Sequence, residues 1–302
     1  MCNFFSCIVT KTGHVLYDPM SDSHEDIIDK YKEQHDLTDD TTDPEKLRFA
    51  RVEITPPNID VFAPVDQWVL TIDQRITPAW WSEVFVQTAM ICLSEFLSTA
   101  ILVGKEISEL TSGRFWARDC RIDKLTGTAL VVRLESSQVR EMLGSSQVGV
   151  MRGSSQVGEM RESSQVREML GSSQVGVMRE SSQVGEMWGS SQVGVMRESS
   201  QVGEMWGSSQ VREMRGSSQV GEMLESSQVG EMWGSSQVGV MWGSSQVGVM
   251  RESSQVGVHS SEVNYVLNDN AIAIINITQT PKIITVNEKI QIELQEGKRG
   301  IS

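Results

Sequence analysis

A nine-residue repeat that begins SSQV constrains the fold of this 302-residue chain more than any other feature. The repeat occurs fourteen times between Ser136 and Val258, always at a spacing of nine residues. A period this strict predicts stacked units that each contact their neighbours. Nine is not a helical period, and each copy contains serines, a β-branched valine and glycine, which are unfavourable in a helix. The repeat therefore predicts a parallel β-solenoid over residues 117–259, with regular repeats at 136–258.

The nine positions of the repeat differ in which residue types occur at them. Ser, Ser, Gln and Val occupy positions one to four in every copy, and Met occupies position seven in thirteen copies. Positions five, six, eight and nine vary and accept charged residues, so we predict that they face solvent, because burying an unpaired charge is costly. The second Ser, the Val and the Met are then expected to point inward. Gly at positions five and nine is expected to mark bends.

Position eight alternates between successive copies. Counting from Ser136, it is Arg in five of the seven odd copies and Trp or Leu in five of the six even copies. This alternation predicts an eighteen-residue coil with two nonapeptide sides, one carrying an arginine row and the other a Trp/Leu row. Gene duplication of an eighteen-residue unit would produce the same alternation even if the coil did not have two sides. The side chains predicted to bind a partner are Arg161, Arg179, Arg197, Arg215, Trp188, Trp206, Trp233 and Trp242.

Residues 1–116 predict a small α+β head with the order ββα-ββα. Ser23, with Asp26 three residues later, is typical of the start of an amphipathic helix. Thr77 and Pro78 suit the N-cap and the first position of a second helix.

The solenoid is expected to be flanked by irregular segments. Residues 117–134 fit the repeat as diverged first coils, with Ile122 and Leu125 at the inward positions. A solenoid ends in an open sheet edge that must be covered. Residues 260–302, which look like further strands, are the predicted C-terminal β cap.

The chain is acidic, with a formal net charge of −14. An acidic surface repels phosphates, so we expect no nucleic-acid partner. The alternative is that the acidic surface mimics DNA and occludes a DNA-binding enzyme of a host. The sequence shows neither the apolar run of a signal peptide nor a stretch long enough to span a membrane. We therefore expect no membrane partner, and a protein that is cytoplasmic in a bacterial host or associated with a virion.

Few residues suggest catalysis. Cys2 would become an N-terminal nucleophile beside its own α-amino group if Met1 were removed, which makes an N-terminal-nucleophile amidohydrolase an alternative function. The histidines show no metal-ligand spacing, and His24 and His35 are expected on solvated faces. The repeat contains no Asp, which argues against a calcium-binding roll. We expect no metal and no cofactor.

Several segments together resemble uncharacterised proteins of bacteriophages and prophages. The segments are MCNFFSCIV, DSHEDII, RFARVEITPP, WVLTIDQ and PAWW, followed by SSQVGEMWG and SSQVGVMRE arrays. Those proteins join a small N-terminal domain to a solenoid of repeats such as SAQV or NAQV, in which Ala often replaces the second Ser. The resemblance implies a phage origin and a solenoid fold, but no activity and no site residues.

These features favour a non-enzymatic structural or interaction protein. Its solenoid would present the arginine and Trp/Leu rows to a protein or glycan partner, and the chain could also associate with copies of itself.

Overall fold

The computed structural model describes residues 5–38, 41–258, 264–267, 271–275 and 282–285. The chain forms two compact units, one made of residues 1–102 with 113–116 and the other of residues 103–112 with 117–302. The first is a small α/β unit and the second a parallel β-solenoid, which confirms the predicted fold class.

The N-terminal unit contains a short antiparallel sheet and two α-helices. Its elements are β1 (Phe5–Thr10), β2 (Val15–Leu16), α1 (His24–Tyr31), β3 (Phe49–Thr55), 3-10 turns at Pro57–Ile59 and Val65–Gln67, β4 (Val69–Ile72) and α2 (Glu83–Ala100). The strand order is β2-β1-β3-β4, and the strands and helices follow one another along the chain in the order ββα-ββα. β1 is buried along its whole length, and its Ile8 packs with Ile27 of α1 and Phe49 of β3 in one apolar cluster.

The structure confirms the predicted start of α1 and corrects that of α2. The Ser23 hydroxyl accepts a hydrogen bond from the Asp26 backbone N–H, as an N-cap does. α2 begins at Glu83, after Ser82, and not at Thr77 and Pro78. Pro78 instead closes a turn, since its carbonyl accepts from the Trp81 N–H, and the Trp80 indole donates to the Leu47 carbonyl at 2.7 Å. The local turn and the tertiary bond from Trp80 to Leu47 hold the segment out of the helix.

The solenoid strands form two parallel sheets, called here sheet I and sheet II. Sheet I contains β6 (Glu106–Leu110), β8 (Arg121–Leu125), β10 (Gln138–Met142), β12 (Gln156–Met160), β14 (Gln174–Met178), β16 (Gln192–Met196), β18 (Gln210–Met214), β20 (Gln228–Met232), β22 (Gln246–Met250) and β24 (Asn264–Leu267). Sheet II contains β5 (Ile101–Val103), β7 (Arg114–Arg118), β9 (Leu130–Glu135), β11 (Gln147–Arg152), β13 (Gln165–Met169), β15 (Gln183–Met187), β17 (Gln201–Met205), β19 (Gln219–Met223), β21 (Gln237–Met241), β23 (Gln255–Val258), β25 (Ile272–Ile275) and β26 (Lys282–Thr285).

Successive nonapeptides alternate between the two sheets, so a full coil takes eighteen residues. Val184 on β15 pairs with Val166 one coil earlier and with Val202 one coil later. This register confirms the predicted eighteen-residue coil with two sides. Because equivalent positions stack directly, each column of side chains contains residues eighteen apart in sequence.

The first coils are shorter than the regular ones. Ile122 pairs with Val139 and Leu125 with Met142, seventeen residues apart, which confirms that Ile122 and Leu125 take the inward positions. The solenoid also begins ahead of residue 117, because Ile107 of β6 already pairs in parallel with Ile122.

The inward positions are the predicted ones. The second Ser, the Val and the Met of the regular repeats are all buried, with at most 2% of each side chain exposed. Val at position four and Met at position seven both point inward, so the residues at positions five and six lie on the outer side. Near position five, the strand therefore departs from the regular alternation of inward and outward side chains.

Position nine forms the turn between the two sides of the coil. Gly189 and its equivalents have positive φ, as does Glu198, whose φ of 57° is a left-handed conformation that costs about 1–2 kcal/mol in a non-glycine residue. The Glu198 carboxylate accepts a hydrogen bond from the Glu180 backbone N–H, one coil earlier, at 2.9 Å. Glu162, Glu225 and Glu252 make the same bond in their coils. This bond satisfies a backbone donor in the turn and offsets the strain.

The described part of the C-terminal region continues the two sheets. β24 pairs in parallel with β22, and β25 pairs in parallel with β23. β26 pairs antiparallel with β25, which changes strand direction at this end of sheet II. The remainder of the predicted cap at 260–302 lies outside the described residues.

Candidate interaction surface

The side chains at position eight form two columns on opposite sides of the coil. The backbone N–H at this position donates to the Met carbonyl of the preceding coil, as from Trp206 to Met187 at 2.8 Å, which fixes the stacking. We call the column that follows the sheet II strands the aromatic column: Leu170, Trp188, Trp206, Leu224 and Trp242. We call the column that follows the sheet I strands the arginine column: Arg161, Arg179, Arg197, Arg215, Trp233 and Arg251.

Trp188 and Trp206 stack face to face in the aromatic column. Their ring centroids lie 4.9 Å apart and their planes differ by 4°. Each indole N–H donates to the carboxylate two residues earlier, Trp188 to Glu186 and Trp206 to Glu204, both at 2.9 Å. These bonds fix the ring orientation and use the indole donors, so the pair presents apolar ring edges to solvent. Trp188 is 37% exposed.

The four predicted tryptophans do not form one cluster. Trp242 is 42% exposed and lies in the aromatic column two coils beyond Trp206, with Leu224 between them. Trp233 lies in the arginine column instead, where the Arg251 guanidinium sits over its ring, 4.6 Å from the centroid. Its indole N–H donates to Glu231 at 3.0 Å. The aromatic column therefore contains three of the four predicted tryptophans.

The arginine column is largely neutralised by its own carboxylates. Glu159 pairs with Arg161 at 2.9 Å and also with Arg179 of the next coil. The hydrogen bond from Arg161 is the main cause that lowers the pKa of the Glu159 carboxyl, with a further bond from Arg179. Arg215 pairs with Glu213 at 2.6 Å.

Arg197 is the predicted binding arginine that differs from the rest. The position-six neighbours on its own and the preceding coil are Val195 and Val177, whereas Arg161 and Arg215 each have a glutamate at position six of their own coil. Among the described residues no carboxylate lies within ion-pair distance of Arg197, and its buried Nε has no hydrogen-bond partner.

A row of carboxylates runs beside the aromatic column at position six of sheet II. We call it the acidic row: Glu168, Glu186, Glu204 and Glu222, which pair directly in register on neighbouring strands. Of these, Glu168 has an ion pair among the described residues, with the exposed Arg167 at 3.4 Å. Position six was predicted to face solvent, but its Glu and Val residues were not separated by side of the coil. Sorting them by odd and even copies would have revealed the row.

Each sheet also carries a shallow groove on its outer face. The grooves have volumes of about 570 Å³ on sheet II and about 490 Å³ on sheet I, and Gln at position three and Gly at position five line them. Strands approach closely here, since a Cβ added at Gly176 would lie 2.4 Å from the Gly158 carbonyl oxygen. Position five nevertheless carries Arg140, Arg167 and Arg212.

The N-terminal unit contains a histidine–aspartate pair that is structural. His24 is buried, with 6% of its surface exposed, which corrects the expectation of a solvated face. Its Nδ1 lies 3.2 Å from Asp73 and its Nε2 3.1 Å from the Val52 carbonyl oxygen. Helix α1 begins against β3, and this packing draws the ring inward. Since both ring nitrogens are engaged, neither is available as a general base.

Two of the described cysteines, Cys7 and Cys92, lack the environment of a nucleophile. Burial raises the pKa of the Cys7 thiol well above its usual range, and burial together with the nearby Glu95 raises the pKa of Cys92 to about 11. Reactive cysteines have lowered pKa values instead. Cys2, the nucleophile of the alternative function, lies outside the described residues.

Within the described ranges, no group of three or more His, Cys, Asp or Glu side chains is placed to hold a metal ion. In the same part of the chain, no helix has both the length and the apolar character needed to cross a membrane. Comparison of the chain with protein-family models, with curated proteins and with solved structures finds no match.

Proposed function

We propose that this chain is a non-enzymatic interaction protein of phage origin that binds a partner protein through the aromatic column. The observation that carries the proposal is the stacked pair of Trp188, which is exposed, and Trp206, which is half-buried, within an apolar column that spans five coils. Exposed aromatic side chains held rigid by packing are typical anchors of protein interfaces. In keeping with its phage-like repeats, we propose that it acts in the bacterial cytoplasm or on the virion.

The ring orientation favours a protein over a glycan. A sugar stacks on the open face of an aromatic ring, but Trp188 and Trp206 cover one face of each other. Their other faces are directed along the column towards Leu170 and Leu224, the residues of the adjoining coils. The exposed ring edges suit apolar side chains of a protein, which pack at edges as well as faces.

The double substitution Trp188→Ser with Trp206→Ser is expected to weaken capture of the partner by at least about 30-fold, because the loss of even one central tryptophan of an interface costs about 2 kcal/mol or more. The full-length chain is immobilised, exposed to an extract of a bacterial host, and its bound proteins are quantified by mass spectrometry. Trp233→Ser is the matched control, since Trp233 has the same bond to a glutamate but lies in the arginine column. Equal capture by the double variant, or an equal loss with Trp233→Ser, contradicts the proposal. Binding of glycans in place of a protein also contradicts it.

A further inference from the structure

The two sides of the coil differ in how their charges are compensated. On the sheet I side, arginines at position eight pair with glutamates at position six, as Arg161 does with Glu159 and Arg215 with Glu213. On the sheet II side, position eight is apolar in the same coils, so the acidic row has no arginine column to pair with. Among the described residues, Glu186, Glu204 and Glu222 have no ion pair.

The acidic row is unfavourable for the isolated chain. Glu186 pairs in register with Glu168 on one neighbouring strand and with Glu204 on the other, and Glu204 pairs with Glu222. Like charges directly opposite each other on adjacent strands are destabilising. The indole N–H bonds to Glu186 and Glu204 orient the carboxylates but do not neutralise them. A cationic partner would remove this repulsion.

The aromatic column and the acidic row run in parallel along the solenoid. Both advance by one strand spacing, about 4.8 Å, for each coil. The aromatic column from Leu170 to Trp242 therefore spans roughly 19 Å. A ligand that matches both must present an apolar stripe beside a row of positive charges at a similar spacing.

An α-helix meets this requirement better than an extended strand. Residues on one face of a helix recur about every 5.4 Å along its axis, whereas residues on one face of a strand recur about every 6.8 Å. Over the three steps from Glu168 to Glu222, the mismatch between the side-chain spacing of the ligand and that of the row grows to roughly 2 Å for a helix and roughly 6 Å for a strand. A helix of about 13 residues covers the whole aromatic column.

We propose that the partner segment bound here is a basic amphipathic helix of another protein, lying along the solenoid axis with its apolar stripe on the aromatic column and its lysines or arginines on the acidic row. This inference rests on the proposed function, since it names the partner element for the same surface. Helices of this kind are recognised by apolar grooves and by surfaces of opposite charge.

The test uses the full-length chain and a synthetic eighteen-residue helical peptide with a leucine stripe flanked by lysines. Fluorescence anisotropy is expected to show saturable binding that weakens by about tenfold or more at high salt, because salt screens charges that are only partly buried. The triple variant Glu186→Gln, Glu204→Gln and Glu222→Gln is expected to bind about tenfold more weakly. Gln keeps a carbonyl acceptor for the indole N–H bonds. Glu231→Gln, on the sheet I side, is the matched control and is expected to bind as the unaltered chain does.

Failure of the lysine peptide to bind, equal binding by the triple variant, or equal binding of a peptide with glutamates in place of the lysines overturns the inference. The outcome is separable from that of the proposed function. A partner captured from extract in a Trp188- and Trp206-dependent but salt-independent manner would leave the proposed function in place and remove only the basic helix. Loss of tryptophan dependence would remove both.

Discussion

Deletion of residues 190–198 is expected to leave a folded solenoid but to separate Trp188 from Trp206 and abolish partner binding. The two sides of the coil have the same inward residues, so the strands after the deletion can stack on those before it with Ser, Val and Met still in register. The outward columns are not equivalent. Removing one nonapeptide moves every later position-eight residue to the other side and places Trp206 above Arg179, in the arginine column.

Two measurements check this result. Thermal unfolding followed by far-ultraviolet circular dichroism should change little, since stability in a repeat protein is approximately a sum over neighbouring units. The near-ultraviolet signal of the stacked indoles should be lost. Deletion of residues 154–162 is the control, because it removes a nonapeptide upstream of Leu170 and keeps the aromatic column whole. An intact indole stack after deletion of 190–198, or unfolding of the solenoid, contradicts the account.

Replacing four inward serines by alanine is expected to raise the free energy of unfolding by about 4 kcal/mol. The hydroxyls concerned are fully buried and have no hydrogen-bond partner in the structure: Ser173, Ser182, Ser191 and Ser200. A buried polar group without a partner costs about 1–3 kcal/mol, and alanine removes that cost while leaving little space. Urea denaturation of the quadruple variant measures the change.

Ser155 provides a matched control for this prediction. Its side chain is equally buried, but its hydroxyl has carbonyl acceptors at Leu134, 2.9 Å away, and at Arg152, 2.6 Å away. Ser155→Ala is therefore expected to be neutral or destabilising. Destabilisation by the quadruple substitution as well would show that the inward hydroxyls find partners in solution.

The regular repeat made most of the solenoid predictable from sequence. Invariant Ser, Val and Met identified the inward positions, because a stacked array has the same interior in every coil. The alternation at position eight predicted the eighteen-residue coil, which the pairing of Val184 with Val166 and Val202 confirms. The stacking of Trp188 on Trp206 then follows from their eighteen-residue separation.

The features missed from sequence depend on contacts between distant segments. Helix α2 begins at Glu83 and not at the predicted Thr77, because the Trp80 indole donates a hydrogen bond to the carbonyl of Leu47, thirty-three residues away. His24 is buried because Asp73 and the Val52 carbonyl oxygen meet its two nitrogens, which no local pattern indicates. The acidic row was readable in principle, but it emerges only when position six is sorted by side of the coil, as position eight was.

The central claim is that residues eighteen apart share a column whereas residues nine apart lie on opposite sides of the coil. Cysteines at positions 188 and 206 test it directly, because adjacent strands about 4.8 Å apart fall within the Cα separations that a disulfide spans. Under mild oxidation, peptide mass spectrometry should find the 188–206 disulfide in high yield and little or no disulfide when the second cysteine is at position 197. Equal cross-linking of the two pairs, or cross-linking of 188 with 197 alone, would contradict the two-sided coil on which the aromatic column and the acidic row depend.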